Sequence, residues 1–461
     1  MMKDPHLWRL SDDIVPMHMH DSEEEVLVHA APDGSCEVLS SAREASEIAA
    51  AGALADADCP SGVTRRTVLA SMAALGALGV VSGTPRYAFA ATPTARDTLV
   101  VIFLRGAIDG LQVVVPVDDP DYRRARPGLA IRPEDALPVA DGFGLHPATR
   151  PLLPMWQAGQ LAVVNAVGNP KATRSHFDSQ LDMERAAPAA VRSGWLGRHL
   201  AATSRSTELV RAVTVGSRAA VSAAGFPTAS FSGDLENFDV WSWEGYRGGV
   251  HKTLDRLHRS AGGALAADAS KAVAGVATLA RARATKAGTA PYPDDDFGRG
   301  LREVARVIKA GAPVEAACLD LDGWDLHRNH GGPFEEWGPM RRLVDSFARG
   351  LAAFRTDLGS RWGRTTVVTL SEFGRRVEQN SIGGTDHGHG NIMFVAGGNV
   401  VGGRIHGRWP GLASSALLDG DLAITTDYRD VVAEIVTRRL RTPNISAVFP
   451  GHTPKPVGVI R

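Results

Sequence analysis

Five short runs of apolar, mostly β-branched residues constrain the fold of this chain more than any other feature. They lie at 98–104, 161–168, 314–323, 365–374 and 391–398, and most of them end in glycine or a polar residue. Continuous apolar strands of this kind are buried on both faces, as in a parallel sheet covered by helices. Segments with helical spacing of apolar residues separate them, at 146–160, 295–311 and 333–359. We therefore predict an α/β fold with a mostly parallel central sheet and helices on both faces.

Length and charge narrow the class of protein. The chain has 461 residues, long enough to bury a large core, and its 50 basic residues are balanced by 51 acidic ones. Because this balance leaves no basic surface of the kind that binds nucleic acid, we expect no nucleic-acid partner. The sequence shows no internal repeat and no convincing interdomain linker. We predict a single α/β domain over 91–461, with an exposed helical insertion near 255–290, where alanine, arginine and lysine are frequent.

The first 90 residues read as an N-terminal extension followed by an export signal. Arg65 and Arg66 precede an apolar run at 68–81, and the small-residue motif "AFA" ends at Ala90. This pattern is typical of a twin-arginine signal, and the run is shorter than the roughly 20 residues needed to span a bilayer. We therefore predict passage through the twin-arginine export machinery, cleavage after Ala90, and a periplasmic or secreted protein.

The 60 residues ahead of the arginine pair form an unusually long leader. They are either a regulatory extension or a sign that translation starts further downstream. Cleavage after Ala90 would remove Cys36 and Cys59 and leave only Cys318. The mature protein would therefore have no internal disulfide.

The segment "GGTDHGHGN", at 383–391, places Asp386, His387 and His389 among small residues just before the last apolar run. Carboxylate and imidazole groups are natural ligands for a divalent cation of borderline hardness, and glycine allows the backbone to approach the ion. Metal binding and a simple polar turn both fit the segment.

Chemically competent side chains follow the other apolar runs as well. Because ligands in open α/β sheets bind beyond the carboxyl ends of the strands, we expect these side chains to meet there. The candidates are Arg105 and Asp109 after the first run, Arg174, Ser175 and His176 after the second, Asp325, His327 and His330 after the third, and Glu372 at the end of the fourth.

Structural roles remain open for several of these candidates. Asp109 and Ser175 are both suited to capping a helix, although a serine at a helix N-terminus is also well placed as a nucleophile. Glu372 is close to two arginines in the sequence and would suit an ion pair. The chain has no P-loop or G-x-S-x-G motif in a suitable position, so neither nucleotide hydrolysis nor an α/β-hydrolase mechanism is supported.

Taken in order, the motifs "LVVIFLRGAIDGLQ", "TRSHFDSQ", "GWDLH", "SEFGRR" and "GTDHGHGN" resemble the bacterial family catalogued as domain of unknown function 1501. The resemblance extends from about 97 to 455. It implies membership of the alkaline phosphatase superfamily, which includes sulfatases and phosphodiesterases, and therefore an alkaline-phosphatase-like fold.

The resemblance also implies roles for individual residues. Asp109 matches the metal-binding aspartate after the first strand, and Ser175 lies where the superfamily has its nucleophile. Asp325, with His327 or His330, resembles the ligands of the first metal, and His387 or His389 resembles the late histidine. The chain departs from the superfamily at Ser371–Glu372, where Asp-His is usual. Glu372 would then ligate through oxygen, which favours one metal ion or a harder one.

These observations lead to the hypothesis of an exported hydrolase of phosphate or sulfate esters that acts on a small molecule or a glycan. The implied cofactor is a divalent ion, Zn²⁺, Mn²⁺, Mg²⁺ or Ca²⁺. Arg105 and Arg174 would clamp the anion, and His176 would protonate the leaving group. Replacing Ser175 by alanine or Asp109 by asparagine should then abolish turnover and leave the fold intact. The alternative is a catalytically silent relative that serves as a binding or cell-surface assembly protein.

Overall fold

The computed structural model describes residues 97–140, 142–203, 210–216, 218–231, 235, 279 and 282–461, together with three strands near the N-terminus. Residues 1–78 and 79–461 form two separate compact units. In the first unit, β1 (Ile14–His18), β2 (Glu25–Ala30) and β3 (Cys36–Leu39) form an antiparallel sheet in that order. The export signal, the cleavage site at Ala90 and most of the insertion near 255–290 lie outside the described residues.

The second unit alternates strands and helices. Its strands are β4 (Thr98–Leu104), β5 (Val114–Val115), β6 (Leu137–Pro138), β7 (Gly144–Leu145), β8 (Leu161–Gly168), β9 (Ala212–Val215), β10 (Ala229–Phe231), β11 (Ala316–Leu321), β12 (Thr365–Leu370), β13 (Asn391–Gly397), β14 (Ile405–His406) and β15 (Thr426–Asp427). Its α-helices are α1 (Gly110–Val113), α2 (Pro120–Ala125), α3 (Leu153–Gln157), α4 (His176–Arg185), α5 (Trp195–Ala202), α6 (Asp296–Lys309), α7 (Pro339–Leu358), α8 (Tyr428–Arg438) and α9 (Ile445–Val448). Short 3-10 helices span Pro147–Leu152, Val221–Ala223, Gly359–Arg364 and Ser414–Ala416.

One large sheet carries all five of the predicted apolar runs. Its strand order is β10-β9-β11-β4-β12-β13-β8-β14, with β15 paired to β8, and a separate small antiparallel sheet has the order β5-β7-β6. The pairs β10–β9, β9–β11, β11–β4 and β4–β12 are parallel, which confirms the predicted α/β class with a mostly parallel sheet.

Strand β13 is the exception, because it runs antiparallel to both β12 and β8. The prediction of a parallel strand at 391–398 was therefore wrong. The physical reason lies in residues 371–390, which connect β12 to β13 without an intervening helix. A parallel neighbour usually needs a helical crossover, whereas a chain that turns back at the same end of the sheet makes an antiparallel pair.

The core lies on both faces of this sheet. Because side chains alternate along a strand, Val100, Ile102 and Leu104 of β4 pack on the side of α6 and α7, whereas its other apolar side chains pack on the side of α5 and α8. Burial of each such side chain contributes about 1.5–3 kcal/mol. The predicted helices on both faces are therefore confirmed. Within the described residues, no helix has the length and hydrophobicity needed to cross a membrane.

Candidate metal centre

Four loops converge beyond the carboxyl ends of the central strands. They follow β4, β8, β11 and β12 and span residues 105–109, 169–175, 322–338 and 371–390. Because β4, β11 and β12 are parallel neighbours, their loops emerge at one edge, and β8 runs in the same direction two places beyond β12. The fold thereby brings together chain segments that are more than 200 residues apart.

Three side chains from these loops and the first residue of α4 lie close together and are called here the metal cluster: His176, Asp325, His327 and His387. Nε2 of His387 lies 3.0 Å from Nε2 of His176, 2.9 Å from Nε2 of His327 and 3.3 Å from Oδ1 of Asp325. The same Asp325 oxygen is 3.3 Å from Nε2 of His176 and 3.1 Å from Nε2 of His327. His176, Asp325 and His387 therefore place three ligand atoms within reach of one ion, and His327 adjoins two of them, His387 and Asp325.

The opposite nitrogen of each imidazole has its own acceptor. Nδ1 of His176 is 2.8 Å from Oε1 of Glu372, and Nδ1 of His327 is 2.9 Å from Oδ1 of Asp386. Nδ1 of His387 is 2.9 Å from the main-chain oxygen of Arg174. Acceptors at these positions keep the proton on Nδ1, which leaves a lone pair on each Nε2 directed at the centre.

This donor set fits a divalent cation. Facing lone pairs on neutral imidazoles 2.9–3.0 Å apart repel each other, and a cation between them removes that repulsion. Nitrogen ligands at 2.0–2.1 Å in a tetrahedron are separated by about 3.3 Å, close to the spacings of the metal cluster. Imidazoles whose Nδ1–H is bound to a carboxylate or carbonyl are the usual arrangement of metal-ligating histidine.

Asp325 is fixed by the buried guanidinium of Arg375. Nη2 of Arg375 donates to Oδ1 of Asp325 at 2.6 Å. The other N–H groups of the Arg375 guanidinium donate to main-chain carbonyls that include those of Ala107 and Thr385. Partial burial alone would raise the pKa of Asp325, but the hydrogen bond and charge of Arg375 lower it to about 2. Asp325 is therefore ionised at neutral pH, and its side chain is 47% exposed, so the cluster is open to solvent.

Glu372 lies beneath His176 instead of facing the centre. Its carboxylate is fully buried and accepts hydrogen bonds from the main-chain nitrogen of Gly106 and from Gln180, each at 2.9 Å, in addition to His176. Burial acts to raise the pKa of Glu372, but these hydrogen bonds lower it overall. Glu372 therefore orients His176, whereas the sequence suggested that Glu372 binds the metal directly. Asp386 has the same relation to His327.

Three other predicted ligands lie outside the metal cluster. Asp109 is buried at the start of α1, where it binds Arg126 at 2.8 Å and caps the helix through the nitrogen of Gln112. Of the two roles considered for it, the structure shows the capping one. His330 is buried, with Nε2 2.7 Å from the carbonyl of Leu326, and burial lowers its pKa. His389 directs its Nε2 toward Asp421, at 3.8 Å.

The four predicted catalytic residues make different contacts in the structure. Arg105 is buried, and its guanidinium binds Asp320 at 2.6 Å and Glu184 at 3.4 Å. It therefore forms ion pairs with two carboxylates of the protein, where the sequence suggested that it binds a substrate anion. Both nitrogens of His176 are engaged in the cluster, which leaves no free nitrogen for the predicted acid role. Ser175 directly precedes α4 and makes no side-chain capping bond to it. Arg174 has a left-handed backbone, with φ of +61°, that directs its carbonyl toward His387.

Sequence reasoning did not place His176 among the metal ligands, nor single out Arg375, Arg376 or Asp421. A usable signal for His176 was its place in the segment that follows an apolar run, which Asp325 and His327 share. In the sequence, Arg375 and Arg376 suggest only ion-pair partners for Glu372. Asp421 follows no predicted strand, so no sequence signal indicates that it belongs to a site.

Comparison with known proteins gives a family and distant structural similarities. Residues 96–437 match the family described as "Protein of unknown function (DUF1501)". No curated protein matches the chain. Similar solved structures include the lipoteichoic acid synthase LtaP from Listeria monocytogenes, at 11% identity over 72% of this chain and 75% of that chain, with a TM-score of 0.32.

Two further structures show the same degree of similarity. A mutant of alkaline phosphatase PafA has 12% identity over 62% of this chain and 64% of that one, with a TM-score of 0.30. A 2-O GAG sulfatase has 12% identity over 66% of this chain and 64% of that one, with a TM-score of 0.31. Scores at this level do not establish a shared activity.

Proposed function

Because the chain belongs to the DUF1501 family of proteins of unknown function, we propose its function from the metal cluster: an exported, metal-dependent hydrolase of phosphate or sulfate esters. The observation that carries the proposal is the convergence of Nε2 of His176, Nε2 of His387 and the Asp325 carboxylate on one solvent-open centre, with His327 beside it. The ester class follows from the resemblance of the motif order to the alkaline phosphatase superfamily. A small-molecule or glycan ester is the proposed substrate.

The donor set favours an ion that binds imidazole, with Zn²⁺ ahead of Mn²⁺, because Mg²⁺ and Ca²⁺ prefer all-oxygen sites. Such a cation, held by His176, His387 and Asp325, would supply Lewis-acid stabilisation of negative charge on the ester oxygens. The residues of the chain do the rest. Glu372, Asp386 and the carbonyl of Arg174 hold the imidazoles in one tautomer, and Arg375 keeps Asp325 ionised.

Ser175 is the proposed nucleophile. It immediately precedes His176 in the chain and lies at the N-terminus of α4, a ten-residue helix whose dipole stabilises negative charge on the serine oxygen. In the proposed step, Oγ of Ser175 bonds to phosphorus or sulfur while the bond to the leaving-group oxygen breaks, and the hydroxyl proton passes to water in the solvent-open site. Water then hydrolyses the seryl ester to restore the hydroxyl.

Hydrolysis of 4-nitrophenyl phosphate and 4-nitrophenyl sulfate by the purified protein tests this proposal. We expect turnover that EDTA abolishes and added Zn²⁺ restores, and we expect Ser175→Ala to lower kcat by at least about a thousandfold because the nucleophile is lost. Ser381→Ala, which changes an exposed serine of the loop 371–390, is the matched control and should leave kcat unchanged. Equal rates for the Ser175→Ala variant and the native protein would remove the nucleophile assignment.

One observation favours a second function, that of a binding protein without catalysis. His327 brings a fourth donor atom next to His387 and Asp325, and metal sites with four protein ligands are usually structural, whereas catalytic sites keep one position open. The same experiment separates the two functions. Bound metal without turnover of either ester would support the binding protein, and turnover that depends on the metal would support the hydrolase.

Export through the twin-arginine machinery is part of the proposal and rests on the sequence at 65–91. Replacing both Arg65 and Arg66 by lysine should keep the protein in the cytoplasm with its leader uncleaved, because the pair is the recognised feature of the signal. Intact-mass measurement of the exported native protein should show a chain that begins at Ala91. Export of the double variant at the native level would contradict this part of the proposal.

A further inference from the structure

A second polar cluster adjoins the metal cluster and is called here the Asp421 cluster: Arg174, Arg376, His389 and Asp421. Asp421 is fully buried and binds an Nη2 of Arg174 in a close ion pair. Its carboxylate is also 3.6 Å from Nε of Arg376 and 3.8 Å from Nε2 of His389. The Asp421 cluster therefore gathers two guanidinium groups and one imidazole around one carboxylate.

The two clusters are built by the same chain segments. Arg174 is two residues from His176, and His389 is two residues from His387. Arg376 follows Arg375, the residue that holds Asp325. Because the members of the two clusters alternate along the same short segments, the Asp421 cluster adjoins the metal cluster.

The hydrogen-bonding capacity of the Asp421 cluster is not used up by the protein. Among the described residues, Oδ1 of Asp421 and Nε of Arg174 are buried side-chain atoms without a hydrogen-bond partner. The side chains of Arg174 and Arg376 are nevertheless 31% and 37% exposed, so both guanidinium groups also reach solvent. Asp419 is exposed beside them, and its main-chain oxygen accepts a hydrogen bond from Arg376. Asp421 thus holds two arginines in place at the surface, while some of their donors remain available.

We propose that Arg174 and Arg376 bind a second anionic group of the substrate, next to the ester at the metal cluster. A guanidinium group recognises phosphate, sulfate or carboxylate through paired N–H donors, and two held by one buried carboxylate are fixed before the ligand arrives. The inference rests on the proposed function and narrows its substrate to esters that carry another negative charge near the reacting group.

Binding of two inert probes tests the inference. Titration calorimetry of the metal-loaded protein would compare methylphosphonate with butane-1,4-bisphosphonate, whose second phosphonate can reach the Asp421 cluster. We expect the bisphosphonate to bind at least about tenfold more tightly to the native protein, because charged hydrogen bonds are added. In Arg376→Gln this ratio should fall to about twofold or less, and in Arg376→Lys, which retains the charge without the fork, it should be intermediate.

Arg328→Gln is the matched control, since Arg328 is an exposed arginine beside His327 and has no ion pair with Asp421 among the described residues. In this variant, the ratio of the affinities for the bisphosphonate and for methylphosphonate should equal that of the native protein. An equal fall in Arg328→Gln and Arg376→Gln, or equal affinities of the native protein for both probes, would overturn the inference. Turnover of the nitrophenyl esters tests the proposed hydrolase activity separately, because tighter binding of the bisphosphonate does not depend on catalysis.

Discussion

Replacing His387 by alanine should reduce the divalent metal bound by the purified protein from about one equivalent to less than about a tenth of one. Nε2 of His387 lies within 3.3 Å of all three other donors of the metal cluster, so its loss removes a group that, like Asp325, is close to every other member. The variant would keep only His176 and Asp325 of the three ligands within reach of one ion, and two ligands bind a cation much more weakly than three. Plasma mass spectrometry of protein purified without chelator measures this loss.

His389→Ala provides the matched control for that measurement. The two histidines lie in the same loop, two residues apart, but His389 directs its imidazole to Asp421 instead of the metal cluster. The His389→Ala variant should therefore retain the native amount of metal. Equal metal in His387→Ala and the native protein would exclude the metal cluster as the binding site, and loss confined to His389→Ala would move the site to Asp421.

The contrast between these two histidines shows where prediction from the sequence ends. The segment at 383–391 indicated that imidazole and carboxylate groups gather there, and the structure bears out that gathering. The sequence did not separate His387 from His389, because their different partners come from chain segments at 174–176, 325–327 and 421. Such contacts depend on tertiary structure and leave no local pattern.

The fold was more accessible to prediction. The runs at 98–104 and 161–168 coincide with β4 and β8, and the run at 365–374 begins with β12 but extends four residues past its end, because long buried strands need uninterrupted apolar residues. Strands β9 and β10, with four and three residues, are too short to leave such a signal. The reversed direction of β13 escaped prediction because the apolar run of a fully buried strand is the same in either direction.

Glu372 illustrates the limit of assigning roles by residue type. A carboxylate at the end of a strand gives the same signal whether it binds a metal directly or holds a histidine that does. Only the position of His176, 2.8 Å from Oε1 of Glu372, distinguishes the two roles. The departure from Asp-His at Ser371–Glu372 therefore does not remove a carboxylate from the site, because Glu372 acts on the metal cluster through His176.

Asp109→Asn should destabilise the protein by about 3–5 kcal/mol, the cost of leaving one partner of a buried ion pair uncompensated. The side chains of Asp109 and Arg126 are 2% and 0% exposed, and their charged atoms are 2.8 Å apart. Burial acts to raise the pKa of Asp109, but Arg126 holds it below its usual value, so the carboxylate is ionised at neutral pH. Urea unfolding followed by circular dichroism measures the change.

This outcome would separate the structural role of Asp109 from the ligand role implied by the resemblance, which required an intact fold. If Asp109 is a structural partner, the folded Asp109→Asn protein keeps its metal, and the double variant Asp109→Asn with Arg126→Met recovers part of the lost stability because no unpaired charge remains. If Asp109 is a ligand, the single variant loses metal without losing stability, and Arg126→Met gives no recovery. The second pattern would contradict the structure, in which the Asp109 carboxylate already accepts hydrogen bonds from Arg126, Thr385 and the main-chain nitrogen of Gln112.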